Sequence, residues 1–264
     1  MKNKDIFTFR DAEKQAGPVA FSTMLKPAGS ACNLDCHYCY YLDKAVQYGG
    51  RQAVMSDELL ELYVKQYIEA NEVPTVQFCW HGGEPLLLGV DFYRKAMDFQ
   101  QKYADGKKIE NILQTNGTLV DEAWCDLFAG NNFLVGISLD GPQDIHDAFR
   151  LTKGGRPTFE RVMQTVEMFQ RSGVEYNTLS VVNRLCEGRG GEIYRFFRDT
   201  VHSRYMQFLP AVEHVVDKPG FHRPLIVSPD REGARLAEWS VTAKGYGELS
   251  LIHISEPTRP EPIS

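Results

Sequence analysis

Six short apolar runs punctuate the chain, at Phe21–Leu25, Thr75–Cys79, Ile109–Leu113, Phe133–Ser138, Tyr176–Val182 and Tyr205–Leu209. Each has the length and composition of a buried strand. Between them the apolar positions recur at helical spacing. After Ser56, an N-cap residue followed by Asp57 and Glu58, the residues Leu59, Leu60, Tyr63, Val64, Tyr67 and Ile68 mark one buried stripe. Phe92, Ala96, Phe99 and Tyr103 repeat the pattern, as do Trp124, Leu127 and Phe128, then Phe159, Val162, Val166 and Phe169, and finally Ile193, Phe196 and Phe197. Strand and helix alternate throughout, which predicts an α/β fold with a parallel sheet and crossover helices. About six units are too few for a closed eightfold barrel. A doubly wound sheet or an incomplete barrel remains.

The unusual residues follow the strand ends. A cysteine-rich loop follows the first strand, His81–Pro85 the second, Thr115–Gly117 the third, Ser138–Pro142 the fourth and Pro210–Glu213 the sixth. In parallel α/β architectures those C-terminal ends open onto one face, where ligands bind. The stretch from Asp217 to Arg235 is rich in Pro, Gly and charge and reads as a loop or linker. From Leu249 onward, LSLIHISEPTRPEPIS carries no periodicity joined to what precedes it and reads as an artefactual tail. The expected division is therefore a core over residues 1–216, a linker or the start of a further region over 217–248, and a tail over 249–264.

Composition narrows the function. With 264 residues, 43% of them hydrophobic, the chain has enough apolar material for a sizeable core. Its net charge of -6, with no block of Lys or Arg, weighs against nucleic acid as a partner. No segment approaches the roughly 18 unbroken apolar residues of a membrane span. The start, MKNKDIFTFRDAEKQ, has no apolar signal-peptide stretch, so a cytoplasmic location is expected.

Three of the six cysteines crowd into Cys32-Asn33-Leu34-Asp35-Cys36-His37-Tyr38-Cys39, a C-x3-C-x2-C spacing on a single loop. Cubane clusters usually take four Cys ligands, so three leave one iron open to a substrate or cofactor. A zinc site needs a fourth ligand, and His37, adjacent to Cys36, would be strained in that role. An ordinary ferredoxin site uses C-x2-C-x2-C-x3-C, which does not match. Cys79 and Cys125 read as core thiols and Cys186 as incidental. The loop LCEGRGGE lacks the ending of a phosphate-binding loop. His81 and His146 stand at promising loop positions, without the spaced partners of a zinc hydrolase.

This cysteine spacing, with Tyr38 before the last Cys, resembles the signature of the radical S-adenosylmethionine (SAM) superfamily. CNLDCHYCYY, WHGGEP, LQTNGTL, FLVGISLDGP with IHDAFR, and YMQFLP, spread over Phe21 to Glu248, resemble in particular the anaerobic sulfatase-maturating enzymes. The resemblance implies a partial (β/α)6 TIM-like barrel of the radical SAM type. It also implies a [4Fe–4S] cluster on Cys32, Cys36 and Cys39, and S-adenosyl-L-methionine chelated to the open iron. Cleavage of that cofactor to a 5′-deoxyadenosyl radical would serve to oxidise a Cys or Ser of a sulfatase polypeptide to Cα-formylglycine. A ferredoxin- or flavodoxin-type protein would supply the electron. Two alternatives stay open: another radical SAM peptide-modifying maturase, and a non-catalytic iron-sulfur module.

Carried over by motif, Tyr38 would contact the adenine side of the cofactor through its backbone, and Gly83 the methionyl end, its glycine letting the backbone approach closely. Ser138 and Arg150 would engage the ribose and carboxylate region, Arg offering a planar fork of donors. Val212 would give an apolar backbone contact to adenine. Without the resemblance, Ser138 is a strand-end hydroxyl, Arg150 a solvated helix-end charge and the Gly-Gly pair a simple turn. The family continues into a cysteine-rich region with auxiliary clusters and an Asp base. No cysteine follows Cys186. The catalytic base is therefore unknown here, and the chain is expected to cleave SAM but to convert sulfatases poorly by itself.

Overall fold

The computed structural model describes residues 20–41, 44, 54–217 and 224–255, the last four by backbone alone. Six parallel strands form one sheet in sequence order: β1 (Met24–Leu25), β2 (Thr75–Trp80), β3 (Lys108–Thr115), β4 (Phe133–Ser138), β5 (Glu175–Val182) and β6 (Met206–Pro210). Order without reversal leaves no topological switch point, which decides for the incomplete barrel over the doubly wound sheet. All six expected strands are present, although β1 shrinks to two residues.

The connecting helices are α1 (Asp57–Ala70), α2 (Val90–Tyr103), α3 (Glu122–Gly130), α4 (Gln143–Phe149), α5 (Phe159–Ser172) and α6 (Gly190–Arg195), which runs into a π-helical turn at Phe196–Thr200. Ser56 caps α1 by accepting the Leu59 N–H, and Leu60, Val64, Tyr67 and Ile68 form its buried face. Leu59, expected in that stripe, points to solvent at 50% exposure. It lies in the first turn, where the cap and not the apolar face sets the orientation.

Strand residues alternate, as the two-residue pleat requires. Val76, Phe78 and Trp80 on β2, Asn111, Leu113 and Thr115 on β3, and Phe133, Val135 and Ile137 on β4 are buried. There they join Tyr93, Trp124, Phe128, Val162 and Phe169 from the helices in one hydrophobic core. The other face carries Cys79, Ile112, Gln114, Leu134, Gly136, Ser138, Asn177, Leu179 and Val181 and is partly polar and partly open. Gly136 serves this face: a Cβ there would lie 2.0 Å from the Gln114 carboxamide oxygen, so the glycine leaves room for that side chain in its present orientation.

The expected linker holds more structure than its composition suggests. Strands β7 (His214–Val216), β8 (Leu225–Val227) and β9 (Arg235–Leu236) form a small antiparallel sheet. Helix α7 (Ala243–Ser255) follows, its start capped by the Thr242 hydroxyl, and it packs against α6. Leu249, expected to open an unjoined tail, is buried on this helix as part of the core. Residues 256–264 of that tail lie outside the described residues, as do residues 1–19. Among the described residues no helix is long and apolar enough to cross a membrane.

Candidate functional site

The cysteine loop is clasped from three sides by the loops that follow other strands. Along one side it runs beside the end of α4: the Asp35 N–H donates to the Leu151 carbonyl (2.8 Å) and the His37 N–H to that of Phe149 (3.1 Å). On another, Asn116 Nδ2 donates to Asn33 Oδ1 (2.9 Å) and lies 3.8 Å from Cys32 Sγ, while Asn33 Nδ2 donates to the Thr118 hydroxyl (2.8 Å). Behind it, the Gly83 N–H donates to the Gly29 carbonyl (3.0 Å) and the Glu84 N–H to that of Ala31 (2.7 Å).

Gly83 also has a packing reason of its own to be glycine. A Cβ on it would sit 2.1 Å from the Ala31 carbonyl oxygen. The close approach that demands glycine is to the backbone leading into Cys32, whatever ligand binds on the other side. Glu84, fully buried, completes this join: its carboxylate accepts from the Leu86 N–H (3.0 Å), the Thr115 hydroxyl (2.8 Å) and the Asn116 N–H (2.8 Å). Burial nevertheless outweighs those bonds and pushes its pKa up to about 7.

Cys32, Cys36 and Cys39 form no disulfide and sense one another electrostatically; Cys36 joins Leu34 and Tyr38 in a small apolar cluster against which Cys32 and Cys39 pack. Burial raises the Cys32 thiol to about 11 and the Cys36 thiol to about 12, so a bound metal must supply the free energy that deprotonates them. Among the described residues no three His, Cys, Asp or Glu side chains close round a single ion. The His37 ring stands at right angles to that of Phe149, 6.1 Å between centroids.

Asp140, which the sequence reading passed over within SLDGP, is the hub of the site. Its carboxylate accepts from the Tyr38 hydroxyl, from Arg150 Nη2 (3.0 Å) and from the Val181 N–H (2.9 Å). Arg150 is buried, not solvated. Its guanidinium lies 5.6 Å from the Tyr38 ring centre, and its Nε–H has no partner among the described residues. Burial alone would lower the Arg150 pKa, but Asp140 more than reverses that and the charge is fixed. His146, expected in a loop, is a wholly buried residue of α4. Thr158 gives its hydroxyl proton to the Arg150 carbonyl, so His146 Nε2 donates to Thr158 and Nδ1 receives the Asp140 N–H. Burial lowers the His146 pKa to about 4, and the neutral ring acts as a brace under Asp140.

Ser138 ends β4 on the open face, accepting from Gln114 Nε2 (3.1 Å). Val212 lies beyond β6 with its side chain 55% exposed; among the described residues its N–H and carbonyl take no hydrogen bond. Cys186 proves to be a core thiol, and Cys125 is buried as expected; Cys79 is half-buried on the open face. The outer side of the cysteine loop borders a cleft of about 320 Å³ lined by Asn33, Thr118, Thr152, Arg156, Pro157, Thr158 and Arg161.

Comparison with known proteins fits this geometry. Residues 27–186 match the family described as the Radical SAM superfamily. Over 227 residues the chain is 45% identical to the serine-type anaerobic sulfatase-maturating enzyme of Bacteroides thetaiotaomicron, covering 86% of this chain and 54% of that relative. It is 39% identical over 216 residues to the cysteine-type anaerobic sulfatase-maturating enzyme of Clostridium novyi, covering 80% and 56%. The solved structure of native anSMEcpe with bound AdoMet and Cp18Cys peptide superposes with a TM-score of 0.73 at 33% identity, over 88% of this chain and 59% of that one. The chain thus spans little more than half the length of these relatives.

Proposed function

Because the chain belongs to the radical SAM superfamily, we propose that it carries a [4Fe–4S] cluster and S-adenosylmethionine, and that they serve the oxidation of a Cys or Ser in a sulfatase polypeptide to Cα-formylglycine. The observation that carries this reading is the loop of three cysteines outside any disulfide, Cys36 buried and Cys32 and Cys39 half-buried, beside an arginine with one unspent donor. Bound there, the cofactor pair supplies one-electron chemistry that ends in removal of a hydrogen atom from the substrate.

The residues present fit the pair. Cys32, Cys36 and Cys39 are three thiols for a cube with four corners, which leaves one iron for the cofactor. The Arg150 Nε–H offers a donor to a carboxylate, and Asp140 holds the guanidinium so that little reorganisation accompanies binding. Gly83, Ser138, the backbone at Tyr38 and the free backbone groups of Val212 complete the proposed contacts. They come from loops after four different strands, which supports a ligand spanning the mouth of the sheet. Arg156 and Arg161 flank the cleft next to Asn33, one side chain from Cys32. These two cations suit an acidic electron donor of the ferredoxin or flavodoxin type. A cytoplasmic setting agrees with the free cysteines. In this proposal residues 1–216 are the radical SAM core and 217–248 the start of a further region.

Anaerobic reconstitution with iron and sulfide, then reduction with SAM present, tests the cofactor half. A cluster absorption band and 5′-deoxyadenosine are expected; a protein that takes up zinc, or nothing, overturns it. For the substrate half, the loaded chain should bind a peptide with a C/S-x-P-x-R sequence and ignore its scrambled form. Equal binding of the two peptides would speak against sulfatases and for another peptide class.

A further inference from the structure

Trp239 lies within 217–248, expected to be a linker or the start of a further region, yet it is fixed at the mouth of the sheet. Its carbonyl accepts the Arg184 N–H (2.9 Å), just beyond β5. The neighbouring Ser240, wholly buried, exchanges bonds with both the Glu213 N–H (3.0 Å) and the Glu213 carbonyl (3.1 Å), and the Val241 N–H donates to Ala211 (2.9 Å) just beyond β6. Residues 239–241 are thus stitched across the C-terminal ends of two strands, alongside Val212. From that anchorage the indole packs against the cluster of Leu34, Cys36 and Tyr38, in company with Cys32, Cys39 and Val181.

The indole nitrogen is the telling atom. Trp239 Nε1 is buried and has no hydrogen-bond partner among the described residues. An indole N–H can only donate, and leaving a buried donor unmade is unfavourable unless something else supplies the acceptor. Trp80, by contrast, spends its N–H on Asn111 at 2.8 Å. Among the described residues the other orphaned side-chain N–H is Arg150 Nε, whose guanidinium lies against the same Tyr38 ring. Two unspent N–H donors therefore border one cysteine loop.

Building on the cofactor reading above, we propose that Trp239 is a further binding residue of the SAM site, its indole forming a wall at the β5–β6 edge and its N–H donating to an acceptor atom of the nucleoside. The nucleoside is favoured over the methionyl end because Trp239 shares its anchoring segment with Val212, whose backbone groups are also free, while Arg150 is the donor suited to a carboxylate. A residue outside the parallel sheet's own loops thereby becomes part of the cofactor pocket.

The test uses the full chain with its cluster reconstituted anaerobically. SAM, 5′-deoxyadenosine and methionine are titrated separately by equilibrium dialysis against wild type, Trp239→Phe and Trp239→Ala. Phe keeps the wall and removes the donor. Trp239→Phe is expected to weaken SAM and 5′-deoxyadenosine alike, by about fivefold for one neutral hydrogen bond, and to leave methionine unchanged. Cluster content and circular dichroism, unaltered in Trp239→Phe, show that the loss is not unfolding. As an independent readout, SAM should change the wild-type tryptophan fluorescence saturably, and that change should vanish in Trp239→Phe, which keeps Trp80 and Trp124. Unaltered SAM affinity in Trp239→Phe, or weakening confined to methionine, would overturn the assignment. A loaded wild-type chain that binds no SAM at all would instead overturn the cofactor reading on which it rests.

Discussion

Arg150 Nη2 stands 3.0 Å from Asp140 Oδ1, in an ion pair whose side chains are 8% and 0% exposed. Removing one partner of such a pair strands the other charge in a medium that cannot solvate it. Asp140→Asn should therefore cost about 3–5 kcal/mol, measured by urea unfolding of the metal-free chain. Replacing both residues, as in Asp140→Asn with Arg150→Met, should recover a good part of that loss because no charge is left unpaired. A double variant no more stable than Asp140→Asn would refute the argument.

Glu84 gives the site a pH dependence whose sign follows from its raised pKa of about 7. The folded state holds the proton more tightly than the unfolded chain, whose carboxyl titrates near the ordinary 4.5. Its contribution to stability is thus complete below about pH 4.5 and is lost as pH rises toward 7, by roughly 3 kcal/mol in all. Glu84→Gln should flatten that segment of the stability curve. It should also be less stable throughout, since whichever way the carboxamide turns, its nitrogen replaces an oxygen that accepts either from the Asn116 N–H or from the Leu86 N–H and Thr115 hydroxyl. Chemical unfolding at half-unit steps from pH 4 to pH 8 distinguishes the two curves.

The strands and the loops that follow them were legible because both signals are local: a run of apolar residues, then Gly, Pro or Asn. What Asp140 does was not, since its partner Tyr38 lies 102 positions away and nothing in SLDGP announces it. His146 misled for the same reason. Its ring belongs to a helix and braces a loop, and a lone histidine carries no sequence mark of burial. The approach of Gly83 to the Ala31 carbonyl was not legible either, because a sequence shows that glycine is wanted and not which atom presses on it. Trp239 had one faint signal, a large aromatic in a stretch otherwise rich in charge and turns.

Gly83→Ala follows from that contact. The added methyl would overlap the Ala31 carbonyl, a backbone atom that cannot rotate away. The segment leading into Cys32 must shift, at a cost of about 1–3 kcal/mol or more for overpacking. Iron content after reconstitution should fall along with the thermal midpoint. Gly89→Ala, with open space around its Cβ although φ is +77°, serves as the control: it pays only local backbone strain and should keep its iron.

The cysteines separate into two groups by what surrounds them. Cys32, Cys36 and Cys39 share one loop and one another's field, whereas Cys125 and Cys186 are immersed in the apolar core. Alanine at any one of the first three removes a third of the proposed ligand set, and a cube held by two thiolates is not retained. Iron and sulfide bound per chain should drop to background, with the visible absorption band. Cys186→Ala leaves a cavity in the core and costs stability, on the order of 1 kcal/mol, while the cluster loads as in the wild type. If Cys186→Ala loses its iron and Cys36→Ala keeps it, the metal lies elsewhere and the three-thiol loop is only a packing element.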